Sequence, residues 1–182
     1  MNTQFASVYN RFLGKITDDM YIELTPQDTL RDLQQLLIDA IPGFEFPRIS
    51  LSYTISQTKV DKEAAADLGF IVEEFDSQVL IDNSCFNADL TDEEINILAL
   101  LMMQNWLQRQ VTSIENIRMK YSGADFKMTS QANHLAKLLA LQEEVRCQCH
   151  HMQRLYKRRK INEEGKIVST WSEFKRVNNY DN

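Results

Sequence analysis

Two long helical patterns, residues 90–121 and 129–160, follow one another in this chain with a single short loop between them. The first opens on Thr91-Asp92-Glu93-Glu94, where Thr91 at the N-cap and Glu94 three residues on form a capping box, and acids occupy the positive first turn. Ile95, Leu98, Ala99, Met102, Trp106, Leu107, Val111, Ile114, Ile117 and Tyr121 then recur at helical spacing. At 1.5 Å per residue such a helix is roughly 45 Å long. In the second pattern Leu135, Leu138, Gln142, Val145, Cys149, Met152 and Tyr156 alternate at intervals of three and four. This is a heptad seam with one polar position, Gln142, of the kind that sets register. Two helices joined in this way cannot bury their apolar faces alone. The chain must therefore supply further elements, or further copies of itself, to cover them.

The remaining sequence supplies some of that cover. Phe5, Val8, Tyr9, Phe12, Leu13 and Ile16 form one helical stripe, with Asn2 or Thr3 as the expected cap. Thr25-Pro26 opens a second helix, Thr25 capping, Pro26 at N1 and Asp28 in the first turn. Its buried face reads Leu30, Leu33, Leu36, Leu37, Ala40 and Ile41, and Pro42-Gly43 stops it. Between Phe44 and Asn87 the helical period is lost. Leu51, Tyr53 and Ile55 alternate with polar residues, which predicts a strand with one wet face. Residues 61–68 read as two helical turns, and 70–73 and 78–81 as short strands with a bend at Asp76-Ser77. The predicted fold is mainly α: an up-and-down helical bundle with two long antiparallel helices, a small β insertion and an extended C-terminal tail. Its parts are residues 1–43 (N-terminal helices), 44–88 (insertion), 89–160 (helical hairpin) and 161–182 (tail).

Composition narrows the class further. With 5 Gly and 3 Pro in 182 residues there is little material for a turn-rich all-β fold. No run of apolar residues reaches the length of a membrane span, and Met1-Asn2-Thr3-Gln4-Phe5 has no signal-peptide character, so a cytosolic chain that avoids membranes is expected. Cys85, Cys147 and Cys149 are odd in number, and Cys147 and Cys149 diverge on a helix, so reduced thiols are expected. Charge is unevenly placed. Residues 61–94 hold eleven acids against Lys62 alone, whereas 146–166 hold seven bases against Glu163 and Glu164. Solvated faces and helix dipoles explain much of this, but the separation also suits contact between copies.

Searching for chemistry yields little. Of Cys147, Cys149, His150 and His151, only Cys147 and His151 share a helical face, two ligands where a structural zinc needs four, and His134 lies too far upstream. No nucleophile elbow and no glycine cluster for phosphate are present, so neither catalytic residue, cofactor nor metal is expected. The basic run Arg154, Lys157, Arg158, Arg159 and Lys160, with Tyr156 inside it, has the character of a phosphate-contacting patch, yet the pI of about 5.1 argues against a free nucleic-acid binder. In the tail, Ile167, Trp171, Phe174 and Tyr180 are apolar or aromatic residues suited to filling a partner's pocket.

The stretch Asp89-Leu90-Thr91-Asp92-Glu93-Glu94-Ile95, the loop Lys120-Tyr121-Ser122-Gly123-Ala124-Asp125-Phe126-Lys127, and Ser130-Gln131-Ala132-Asn133-His134-Leu135 resemble neck proteins of tailed bacteriophages, the head-to-tail connectors that bind beneath the portal. The resemblance covers mainly residues 89–160. It implies a non-enzymatic virion subunit, assembled in the host cytoplasm into a ring, commonly of twelve copies, that extends the channel through which DNA passes without sequence-specific binding. It also implies that 161–182, through Ile167, Trp171, Phe174 and Tyr180, docks on the portal. The insertion would then meet a neighbour or the next neck or tail protein, and Trp106, Met152 and Tyr156 would serve the subunit interface. The alternatives are a cytosolic helical interaction module acting as a regulator, and a nucleic-acid-binding accessory protein.

Overall fold

A computed structural model describes residues 2–16, 21, 24–61, 63, 78–120, 129–161 and 167–169, with backbone alone for 78–79, 115–120, 129–133, 161 and 167. Of the two helical turns expected over 61–68, Asp61 instead pairs with Gln78 in a strand, and 64–68, like the elements expected at 70–73 and 76–77, lies outside the described residues. The described part is mainly α with small antiparallel sheets: α1 (Phe5–Leu13), α2 (Pro26–Ala40), α3 (Asp92–Lys120) and α4 (Thr129–Lys157), with short strands between and after them. The chain divides into two compact units, residues 1–109 and 110–182.

In the first unit the strands form one interrupted ribbon. β1 (Tyr53–Thr54) pairs with β4 (Cys85–Phe86), and β2 (Gln57–Asp61) with β3 (Gln78–Asp82), all antiparallel. Tyr53 faces Phe86 and Gln57 faces Asp82, so the register runs unbroken through the gap. The single wet-faced strand expected around residues 51–55 is thus broken at Ile55-Ser56. The cause lies opposite: the Asp82 carboxylate accepts from the Ser84 amide at 2.9 Å, and the Ser84 hydroxyl accepts from the Ser56 amide at 3.1 Å. Side-chain bonds thereby replace part of the ladder, and Ile55 is left 51% exposed instead of facing the core.

The N-terminus departs from its expected role. Gln4, not Asn2 or Thr3, is the α1 N-cap, and it makes no side-chain cap bond. Residues 3–5 instead run extended beside residues 84–88: the Phe86 amide donates to Thr3 at 2.8 Å and the Phe5 amide to Ser84 at 3.0 Å. The Thr3 hydroxyl accepts from the Leu90 amide at 2.8 Å, so Thr3 closes the approach to α3. This third strand brings Phe5 onto Phe86, Tyr53 and Tyr9, with ring centroids 4.8, 5.7 and 6.2 Å apart. Tilted and edge-on aromatic pairs of this kind each add ~0.5–1.5 kcal/mol beyond area burial. Of the α1 stripe, Phe5, Val8, Tyr9 and Phe12 are buried; Leu13 and Ile16 are half-buried, the helix having ended at Leu13.

α2 forms as its sequence signals dictate. Thr25 accepts from the Asp28 amide at 3.2 Å, Pro26 sits in the first turn, and Leu33, Leu36, Leu37 and Ala40 are buried. A 3-10 turn, Ile41–Gly43, ends it. A Cβ on Gly43 would lie 3.1 Å from Leu101 Cδ2, so glycine here lets the turn lie close against α3. α3 is covered on every side over one stretch: Ile97, Leu98, Ala99, Leu100, Leu101 and Met102 are all buried. The expected stripe omitted Ile97, Leu100 and Leu101. A helix apolar all round is a central helix, not a surface one.

In the second unit, α4 displays its seam plainly. From His134 to His151 the non-exposed residues are Leu135, Leu138, Gln142, Val145 and Cys149, each a seam position. α4 ends at Lys157, earlier than the sequence suggests, and the chain turns back: β5 (Arg159–Ile161) pairs antiparallel with β6 (Ile167–Ser169). The start of the tail is therefore a hairpin and not an extended strap. β-branched Ile161, Ile167 and Val168 favour pleated pairing over a further helical turn.

Candidate interaction surface

The expected partner-facing residues fall into three kinds of environment. Tyr156 is fully buried within a single copy, leaving it no surface for another chain. Trp106 and Met152 are half-buried, and the Trp106 indole N–H is covered without an acceptor among the described residues. Trp171, Phe174 and Tyr180 lie outside the described residues, as does the side chain of Ile167, whose backbone belongs to β6.

The basic residues are all exposed, but they do not form one helical face. Arg154 and Lys157 belong to the last turn of α4. The Arg158 amide closes that turn by donating to Arg154 and Leu155 at 3.3 and 3.2 Å. Arg159 and Lys160 belong to β5, where successive side chains point to opposite faces. Further up α4, Glu143 accepts from Arg146 at 2.8 and 2.6 Å. That hydrogen bonding holds the Glu143 carboxyl below its ordinary range and raises Arg146. Leu139 and Leu141 flank the seam at 43% and 37% exposure.

The cysteines separate as the helical geometry requires. Cys149 is 1% exposed and accepts from Gln153 at 3.5 Å, whereas Cys147 is exposed and donates to Glu143 at 3.6 Å. Among the described residues no three of His, Cys, Asp and Glu gather to hold a metal, and no helix is long and apolar enough to cross a membrane.

Four acids of the acidic stretch, Asp82, Asp92, Glu93 and Glu94, are engaged inside the first unit. Arg48 donates to Glu93 at 2.7 Å and approaches Glu94 at 3.5 Å, with side chains 15%, 13% and 0% exposed. Glu94 also accepts from the Thr91 amide at 2.9 Å and from its hydroxyl, so the expected capping box doubles as part of an ion cluster. Arg11 holds Asp92 at 2.8 Å, and Arg109 reaches Asp32 and Asp39 on α2 at 2.8 and 3.2 Å. Tyr9 donates to Asp82 at 3.1 Å; burial foremost, then the Asp82 charge, raises its phenol well above the ordinary value. Ser84, 1% exposed, accepts from Gln34 at 3.2 Å, tying α2 to the ribbon. Sequence reasoning missed Arg48. The available signal was a lone base between Phe46-Pro47 and Ile49, just ahead of a helix start rich in acids.

Two further apolar features of the first unit face outward. A groove of about 480 Å³ lies between α1 and α2, lined by Ala6, Tyr9, Leu13, Leu24, Leu30 and Leu33 among others. Phe46, 64% exposed, projects from the loop after α2 with φ 56°, and it is the positive-φ non-glycine residue of the described chain. Comparison with protein families, with curated proteins and with solved structures finds no match to this chain.

Proposed function

We propose that this chain is a structural subunit of a tailed-phage neck, a head-to-tail adaptor that assembles into a ring beneath the portal and extends the DNA channel. The reading is that of a non-enzymatic helical bundle whose two long helices run antiparallel. The observation that carries it is α4: along most of its length only a narrow heptad seam is covered, while Leu139 and Leu141 stay exposed on either side. A long helix with apolar flanks outside its own seam suits side-by-side repetition of one subunit. Trp106 and Met152, half-buried, serve that contact, whereas Tyr156 belongs to the interior of each copy. The exposed Arg154, Lys157, Arg158, Arg159 and Lys160 suit a channel carrying DNA, because phosphate contacts of this type are electrostatic and independent of sequence.

The β5–β6 hairpin sharpens the test of the tail. A truncation after Ser169 keeps the hairpin and removes Trp171, Phe174 and Tyr180. Full-length chain should be found by mass spectrometry in purified particles and should bind the portal; the truncated chain should fold yet stay out of particles. Particles assembled normally with the truncated chain would refute portal docking by these residues. A chain that is missing from particles and shifts duplex DNA in a salt-dependent manner would favour the nucleic-acid reading instead.

A further inference from the structure

The ribbon of the first unit has an open edge, and the hydrogen bonds on its inner side show which backbone groups line it. The Asn87 amide donates to the Ser52 carbonyl at 2.9 Å and the Asn83 amide to the Ser56 carbonyl at 2.8 Å. The Ser56 amide itself donates to the Ser84 hydroxyl. Inward and outward residues alternate along an antiparallel ladder. Ser52, Thr54, Ser56 and Thr58 therefore turn their backbone groups towards β4 and β3, while Tyr53, Ile55 and Gln57 turn theirs away from the ribbon. Among the described residues, no hydrogen bond reaches the outward backbone groups of these three.

The sequence of this edge does little to protect it. Residues 52–58, Ser-Tyr-Thr-Ile-Ser-Gln-Thr, carry no charge, proline or glycine, and Tyr, Thr and Ile favour strands. Exposed edges are usually blunted by charge, by proline or by a bulge. Here the register with β4 and β3 runs without a bulge, and the first charge, Lys59, comes just beyond the stretch. Tyr53 is half-buried against Phe5, whereas the other residues of the stretch are exposed, Ile55 to 51%. Short uncharged segments of this composition pair readily with copies of themselves.

We infer that this edge pairs with the same edge of a second copy, antiparallel about a two-fold axis at Ile55. An outward residue exchanges hydrogen bonds only with an outward residue, which restricts the axis to Tyr53, Ile55 or Gln57. An axis at Gln57 would set Lys59 opposite Ile55, and one at Tyr53 would leave the exposed Ile55 without its equal. With the axis at Ile55, Tyr53 faces Gln57 of the second copy and Thr54 faces Ser56. No like charges oppose one another over the stretch, so an identical strand is an acceptable neighbour. The two Ile55 side chains, exposed in a single copy, cover each other. Such a contact closes on itself, whereas a ring needs a head-to-tail one, so the pairing is independent of the adaptor reading.

The test uses the full chain and sedimentation velocity over a range of concentrations. Wild type should self-associate, and Ile55→Lys, which sets like charges opposite each other on the axis, should weaken association roughly tenfold or more. Gln57→Pro removes an outward N–H and spares the inward ladder, the place where an edge strand tolerates proline. It should weaken association to a similar degree with an unchanged far-ultraviolet circular dichroism spectrum. Cross-linking reads the register. Under mild oxidation Ile55→Cys should yield, by peptide mass spectrometry, two chains joined through position 55, since facing Cα atoms lie ~5.5 Å apart. Gln57→Cys should not join to its own counterpart, which lies four residues along the partner strand, ~13 Å away.

A wild-type monomer at every concentration, association indifferent to both Ile55→Lys and Gln57→Pro, or linkage through Gln57→Cys as readily as through Ile55→Cys would overturn the inference. The adaptor reading would survive all three, because it is judged by incorporation into particles. Conversely, a pair formed through this edge by a chain that never enters particles sinks the adaptor reading alone.

Discussion

Arg48 and Glu93 are joined at 2.7 Å with only 15% and 13% of their side chains exposed, although forty-five residues separate them in sequence. The same guanidinium approaches the fully buried Glu94, so one loop residue reaches two carboxylates at the start of α3. Arg48→Ala leaves those carboxylates in a dry site and should destabilise the fold by about 3–5 kcal/mol. Urea denaturation followed by far-ultraviolet circular dichroism measures it. A loss below about 1 kcal/mol, the value of an exposed pair, would show that water screens this cluster.

Tyr9 gives the first unit a defined alkaline response. Its phenol is held neutral in the fold, while in the unfolded chain it ionises near its ordinary value of 10.0. The unfolded state then binds fewer protons than the native state, so stability falls as pH rises above about 10, by up to ~1.4 kcal/mol per pH unit for one proton. Tyr9→Phe should remove this part of the slope. It should also cost about 1–3 kcal/mol at neutral pH, since Asp82 loses a donor. Denaturation midpoints at pH 8 and pH 11 for both proteins test the sign; equal alkaline losses would dismiss Tyr9 as the cause.

Phe46→Gly should not follow the usual cost of placing glycine in a loop. Relief of the left-handed conformation returns ~1–2 kcal/mol, against an entropic loss of ~0.5–1 kcal/mol. The side chain is 64% exposed, so little buried area is at stake. Thermal melting should therefore show an unchanged or raised midpoint. A lowered midpoint would mean the ring packs within its own chain.

The three thiols should label in a fixed order. Cys147 is exposed, Cys85 intermediate and Cys149 buried. Brief treatment of native protein with iodoacetamide, followed by peptide mass spectrometry, should modify Cys147 first and leave Cys149 protected until the chain unfolds. Early labelling of Cys149 would indicate that the α4 seam opens readily.

Local order was readable where a single element carries its own signal. The α2 start at Thr25-Pro26, the Thr91/Glu94 box and the α4 seam follow from side chains a few residues apart, whose physics is complete without the rest of the chain. Features that need two distant segments were not readable. Thr3 resembles a helix cap until residues 84–88 provide a strand for it to join, and Arg48 resembles a loop cation until Glu93 and Glu94 arrive beside it. The conformation of Phe46 is of the same kind, since a positive φ just ahead of Pro47 is not what local preference dictates. Short-range hydrogen bonding and apolar periodicity are thus written residue by residue. Long-range pairing of strands and charges is decided only when the folded chain has excluded water from between them.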